Sequence, residues 1–181
     1  MTLQTPADAI AAYLRAKDGN RPHVLADAFT PDATLHITVR RGTISFPPVS
    51  HGRDAIADVL VRQFAQNFEN VYTFCLCAPP AAGAGTFSCD WLVVMSEKDN
   101  RAVRVGFGRY DWQFDPASGL AYALAICIEA MQSLPPESVA EVMHWASHLR
   151  YPWCPRDEAL RNAPRLDGLA QTLECIGAQP A

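Results

Sequence analysis

The chain reads as an α+β fold: helices gathered at the N-terminus, a curved antiparallel sheet after them, and a helical extension at the end. Three observations predict this. Residues 5 to 29 and 52 to 68 carry apolar positions at helical spacing. Four strand-like runs lie between residues 71 and 131, the third alternating with period two from Val103 to Phe114, and clusters of Pro, Gly, Asp and Asn separate them. Helices segregated from strands, rather than alternating with them, define this class.

The first helix opens at Thr5-Pro6-Ala7-Asp8, with a capping hydroxyl, a proline in the first turn and an acid near the positive helix end. Its apolar stripe is Ile10, Tyr13 and Leu14, and Gly19 is its stop. A short second helix spans about 22 to 29. Residues 33 to 41 form a half-buried strand, Leu35, Ile37 and Val39 opposing Thr34, His36, Thr38 and Arg40. Pro47-Pro48 makes 42 to 49 an edge or a loop, because proline cannot donate to a central ladder. Residues 52 to 68 make the longest helix, with Ile56, Val59, Leu60, Phe64 and Phe68 on one side.

Strands follow at 71 to 77, 86 to 95 and 102 to 114, and the turn Asp115-Pro-Ala-Ser-Gly119 folds the last onto a partner at 120 to 131. LAYALAICIEAM would also suit a buried helix; the preceding turn decides for a strand. That arm is apolar on both faces, with Tyr122, Leu124, Ile126 and Ile128 opposite Ala121, Ala123, Ala125 and Cys127. A one-sided sheet would alternate apolar with polar, so helices are expected over one face and a second subunit over the alanine face. Gly106 and Gly108 mark a bend or a close approach. Residues 1–133 form the body. Residues 134–181 form a helical extension packed on it: one helix to about Arg150, a break at Tyr151-Pro-Trp-Cys-Pro155, then a weaker helix or two interrupted at Pro164 and Gly168.

Composition narrows the function classes. A net charge of -4 offers no basic footprint for nucleic acid or an anionic membrane. No apolar stretch approaches a membrane span, and the first residues lack the pattern of a secretory signal, which predicts a cytoplasmic protein. The six cysteines read as thiols, four of them in strand-like runs. Cys75-x-Cys77 puts two on one strand face, unlike the C-x-x-C of metal and redox sites. No cofactor fingerprint is present, and no metal site is assigned: Glu141, His144 and His148 share a helix face, but Trp145 stands where H-E-x-x-H needs glutamate.

The phrases LADAFTPDATLHI and HGRDAIADVL, with this element order over residues 5 to 132, resemble the SnoaL-like branch of the nuclear-transport-factor-2-like superfamily. The resemblance implies a cone-shaped sheet wrapped around three N-terminal helices, an internal pocket, and a homodimer through the outer sheet face. Its members range from isomerases, dehydratases and cyclases to proteins without known catalysis, so fold does not give function. In the ketosteroid isomerase pattern, Tyr13 falls where a tyrosine donates to the substrate oxyanion. The general base falls near Ile37 and the protonated acid near Tyr110, so the base is missing.

His36 is the nearest titratable group to the missing base, although alternation sets it opposite Leu35 and Ile37; a bulge would be needed to turn it inward. Asp90, within FSCDWLVVM, is either a pocket acid or the partner of an arginine such as Arg104 or Arg109. Tyr13, Ile37, Phe64, Tyr110, Trp112, Tyr122 and Ile128 are the expected pocket walls. The leading expectation is a pocket for a small hydrophobic molecule. The alternative is a cofactor-free isomerase, dehydratase or cyclase using His36 or Asp90 with Tyr13. The third is an interaction module in which the tail fills the pocket or extends the dimer.

Overall fold

The computed structural model describes residues 4–178. Helix α1 (Pro6–Asp18) starts with a full capping box: the Asp8 amide donates to Thr5 Oγ1 at 3.2 Å and the Thr5 amide to Asp8 Oδ2 at 3.1 Å. A 3-10 turn (Pro22–Asp27) replaces the expected second helix. Strand β1 (Phe29–Val39) and the edge strand β2 (Val49–His51) follow. The long helix is a composite: α2 (Arg53–Ala57), a π-helical segment (Asp58–Gln63) and α3 (Phe64–Asn67) run on as one rod.

Strands β3 (Phe68–Cys75), β4 (Thr86–Glu97), β5 (Val103–Phe114) and β6 (Ala121–Leu134) complete one six-stranded sheet, ordered β2-β1-β6-β5-β4-β3. All neighbours are antiparallel except β1 and β6, which run parallel. A parallel pair needs a long crossover, and here the helical rod and four strands, β2 to β5, intervene between the two. The 120–131 arm is thus a strand. Its turn places Gly119 at φ 74, where a side chain would collide with the Gln4 carbonyl at 1.7 Å.

The sheet is covered on both faces, as the doubly apolar β6 requires. Its concave face packs Trp91, Val93, Met95, Tyr110, Trp112 and Leu124 onto Tyr13, Leu14, Leu60 and Phe64 of the N-terminal helices. On the convex face, Phe74, Leu92, Val94, Val103, Val105 and Phe107 meet the chain's own helices α4 (Val139–His148), α5 (Arg156–Arg161) and α6 (Asp167–Ala178), through Val142, Trp145, Leu149, Leu169 and Ile176. Trp145 Nε1 donates to the Ala159 carbonyl at 3.1 Å, tying α4 to α5. Over these strands the cover is the chain's own extension. Ala123, Ala125 and Cys127 lie beyond it and stay half-buried.

Among the described residues no helix is long and apolar enough to cross a membrane.

Candidate functional site: an apolar cavity under the sheet

The concave face encloses a cavity of about 50 Å³, walled by Tyr13, Ile37, Leu60, Phe64, Trp91, Val93, Tyr110, Ile126 and Ile128 and closed by Ile44 and Phe46 of the 40–48 loop. Curvature creates it. Gly108 faces Trp91 across β4–β5 and Ile128 across β5–β6, beside a bulge that separates Phe107 from Gly108 in the register. A methyl at Gly108 would stand 1.9 Å from the Cys127 carbonyl and 2.7 Å from the Trp91 ring. Glycine therefore lets the indole cross the strand and stack on Tyr110, centroids 5.5 Å apart.

The polar end of the cavity is built by α1. Lys17 lies seven residues after Ile10 on the buried stripe, so its ammonium is carried inward, 6% exposed. It donates to Asp18 Oδ1 at 2.9 Å and to Thr73 Oγ1 at 2.7 Å, and sits 4.7 Å from the centroid of Phe64. Asp18 is saturated: it also accepts from the Thr73 amide at 2.7 Å, Thr73 Oγ1 at 2.8 Å and Tyr151 Oη at 3.0 Å. An ammonium has three donors, so one N–H of Lys17 remains at the aromatic wall. Tyr13 and Tyr110 meet edge to face with ring centroids 6.0 Å apart, and burial pushes both phenols far above the ordinary tyrosine range. Both therefore stay protonated near neutrality. Trp91 Nε1 is buried without a partner on the same wall.

Of the residues singled out from sequence, Tyr13, Ile37, Phe64, Tyr110 and Ile128 line this space. Trp112 does not. It stands one layer behind, fully buried against Tyr13 at 5.4 Å and Phe29 at 5.8 Å. Tyr122 is on the opposite face, 44% exposed, with its hydroxyl donating to Gln113 Oε1 at 2.8 Å. The reason is a register shift: Gln113 pairs with Ala123 but Phe114 with Ala121, so Ala121 turns inward in place of Tyr122.

His36 is exposed on the convex side, flanked by the buried Leu35 and Ile37 with no bulge to turn it. Asp90 also faces outward, held by Arg156 Nη2 at 2.6 Å and Arg109 Nη1 at 3.7 Å, while Arg104 pairs with Glu97. The two expected acid–base residues thus point away from the cavity. Sequence reasoning missed Lys17, Asp18, Thr73 and Trp91. A lysine on the apolar stripe of α1 was the available signal for the first; Asp18 is its chain neighbour, and Thr73 and Trp91 come to it only through β3 and β4.

The model of the SnoaL-like domain family matches residues 7–120, more than half of the chain. The chain belongs to this family. Among solved structures, a putative isomerase from Rhodopseudomonas palustris is 14% identical, over 72% of this chain and 93% of its own, with a TM-score of 0.58. A nuclear-transport-factor-2-like protein from Salmonella enterica serovar Typhimurium is 19% identical over 68% and 88%, TM-score 0.54. An epoxide hydrolase/cyclase-like enzyme of pyran ring formation in salinomycin is 14% identical over 68% and 89%, TM-score 0.50. At these identities the likeness is one of fold. A search of curated proteins finds no significant match.

Proposed function

We propose that the protein binds a small, largely apolar molecule carrying one oxygen that accepts hydrogen bonds. The observation that carries this reading is the cavity's composition: apolar walls around the Trp91 indole N–H, the spare Lys17 N–H and two protonated phenols. An oxygen placed there would satisfy buried donors that otherwise cost free energy. Among the described lining residues there is no carboxylate or imidazole, so a proton-transferring base is not supplied and the geometry favours binding over isomerisation. Size points the same way. About 50 Å³ holds roughly three to five waters, or the reactive end of a small ligand. A groove of about 270 Å³ shares Ile44, Phe46 and Phe64 with the cavity, so a longer molecule would extend past the 40–48 loop.

A homodimer through the convex face is part of the same reading, restricted to the strip around Ala123, Ala125 and Cys127 that the extension leaves open.

The test is a thermal-shift and NMR screen with small cyclic ketones against matched hydrocarbons. A ligand at ten times its Kd adds about 1.4 kcal/mol, a shift of about 3–6 °C for a chain of this size. Ketones should outperform hydrocarbons, and Val93→Trp, which fills the cavity, should abolish the response. Equal shifts for both series, or an unaffected Val93→Trp, would refute it.

A further inference from the structure

Three thiols gather on the concave face where β3 leaves β4. Cys75 pairs with Trp91, and in the next step the Leu76 amide donates to the Asp90 carbonyl at 2.9 Å. Continuing that register sets Cys77 directly opposite Cys89. All three belong to the same packed cluster on this face, and the thiols of Cys77 and Cys89 interact closely enough to raise the Cys77 thiol. All are free thiols.

The register decides which pair can join. The Leu76 amide bonds the Asp90 carbonyl just past the last paired residues of the ladder, and continuing that register sets Cys77 and Cys89 at the adjacent non-hydrogen-bonded position. Such pairs bring Cα atoms to about 4.5 Å with side chains close together, inside the roughly 4.4–6.8 Å that disulfides span. Cys75 is diagonal to Cys89, a separation of about 7–8 Å, beyond that reach. Accessibility separates the two partners further: Cys77 is half-buried, whereas Cys89 is 4% exposed.

We propose that Cys77 and Cys89 are a thiol–disulfide exchange couple, Cys77 attacking and Cys89 resolving. With a low-molecular-weight disulfide as oxidant, the Cys77 thiolate attacks one reagent sulfur, the reagent S–S bond breaks and one thiolate leaves. Cys89 then loses its proton to solvent and attacks Cys77 Sγ, expelling the second thiolate. The protein loses two protons and two electrons, and the reagent takes up both to become two thiols. The product ties the base of the exposed 78–88 loop beside Trp91, a wall of the cavity.

The titratable group facing Cys77 is Cys89, and the outward-facing Asp90 and its partner Arg156 from the extension act on it through the sheet. The interaction with Cys89, burial and the nearby carboxylate raise the Cys77 thiol well above the ordinary range, against a weaker opposing pull from Arg156. Reaction is therefore slow near neutrality and accelerates about tenfold per pH unit, with the thiolate fraction.

The full chain treated with hydroxyethyl disulfide at pH 8 and 9, followed by intact mass and peptide mapping, tests this. The expected product has lost two hydrogens and maps to Cys77–Cys89, forming about tenfold faster at the higher pH. Cys89→Ala should stop at a single mercaptoethanol adduct on Cys77, and Cys75→Ala should leave the link intact. Modification of Cys127 or Cys175 without a Cys77–Cys89 link would overturn the proposal, as would a link through Cys75.

Discussion

Replacing Gly108 with alanine isolates the device that shapes the cavity. The added methyl meets the Cys127 carbonyl at 1.9 Å and two atoms of the Trp91 ring at 2.7 and 2.9 Å. Neither neighbour yields easily, since one is backbone of the adjacent strand and the other a buried indole. Overpacking costs about 1–3 kcal/mol where side chains can adjust; with backbone in the way, about 3 kcal/mol or more is expected. For this length that lowers the melting temperature by about 6–12 °C. Gly106 supplies the control. A methyl there meets the Met131 thioether tip at 2.5 and 2.7 Å, the far end of a flexible side chain, so Gly106→Ala should cost about 1 kcal/mol. Gly83 has open space around it, and Gly83→Ala should stay within about 0.5 kcal/mol of the parent. Thermal denaturation of the three variants, each monitored by circular dichroism, gives the order directly. A Gly108→Ala protein melting within roughly 2 °C of the parent would refute the view that close strand approach requires this glycine.

Asp18→Ala strands a buried ammonium and should cost about 3–5 kcal/mol by urea denaturation, whereas Lys17→Met combined with Asp18→Leu should cost less than Asp18→Ala alone; a larger loss in the double variant would count against the ion pair as the cause. Arg104 and a hydrogen bond from Asn100 hold Glu97 below the ordinary carboxylate range against a smaller opposing effect of burial. A depressed acid gives stability that is fully present above its unfolded pKa of about 4.3 and lost as pH falls through the lower folded value. Arg104→Ala should flatten that acid limb, and an unchanged slope of stability between pH 5 and 3 would contradict the assignment. Ending the chain at residue 134 uncovers Leu92, Val94, Val105 and Phe107, each contributing about 1.5–3 kcal/mol when buried. The truncated protein should bind a hydrophobic dye and aggregate; a soluble product of unchanged melting temperature would show the extension to be dispensable.

Strands were legible where period-two alternation survives, as in β5 from Arg109 to Phe114, whereas β4 is buried on both faces from Trp91 to Ser96 and was read from its β-forming residues and flanking turns. His36 illustrates the strength of that rule: alternation set it outward, and the structure leaves it there. Tyr122 illustrates its failure, since one bulge beside the turn reverses the face of a single residue, and no composition signal marks it. For Asp90 the arginine-partner alternative is the one the structure has, through Arg109, but its strongest contact was not legible. Its closest partner, Arg156, lies 66 residues away in the extension, a pairing that only the folded chain reveals. The parallel pairing of β1 with β6 was equally hidden, because register between distant strands is written in neither strand alone.

Lys17 carries the broader lesson about this site. A buried ammonium is tolerated only when paired, and here Asp18, Thr73 and Tyr151 together hold the pair in place. Tyr151 belongs to the extension, so that segment does more than cover apolar strands: its hydroxyl completes the shell of the carboxylate that fixes Lys17, the one charge among the cavity's described lining residues. Tyr151→Phe should therefore weaken ligand response while leaving the fold intact. The cavity and the extension are in this respect one unit, built around α1.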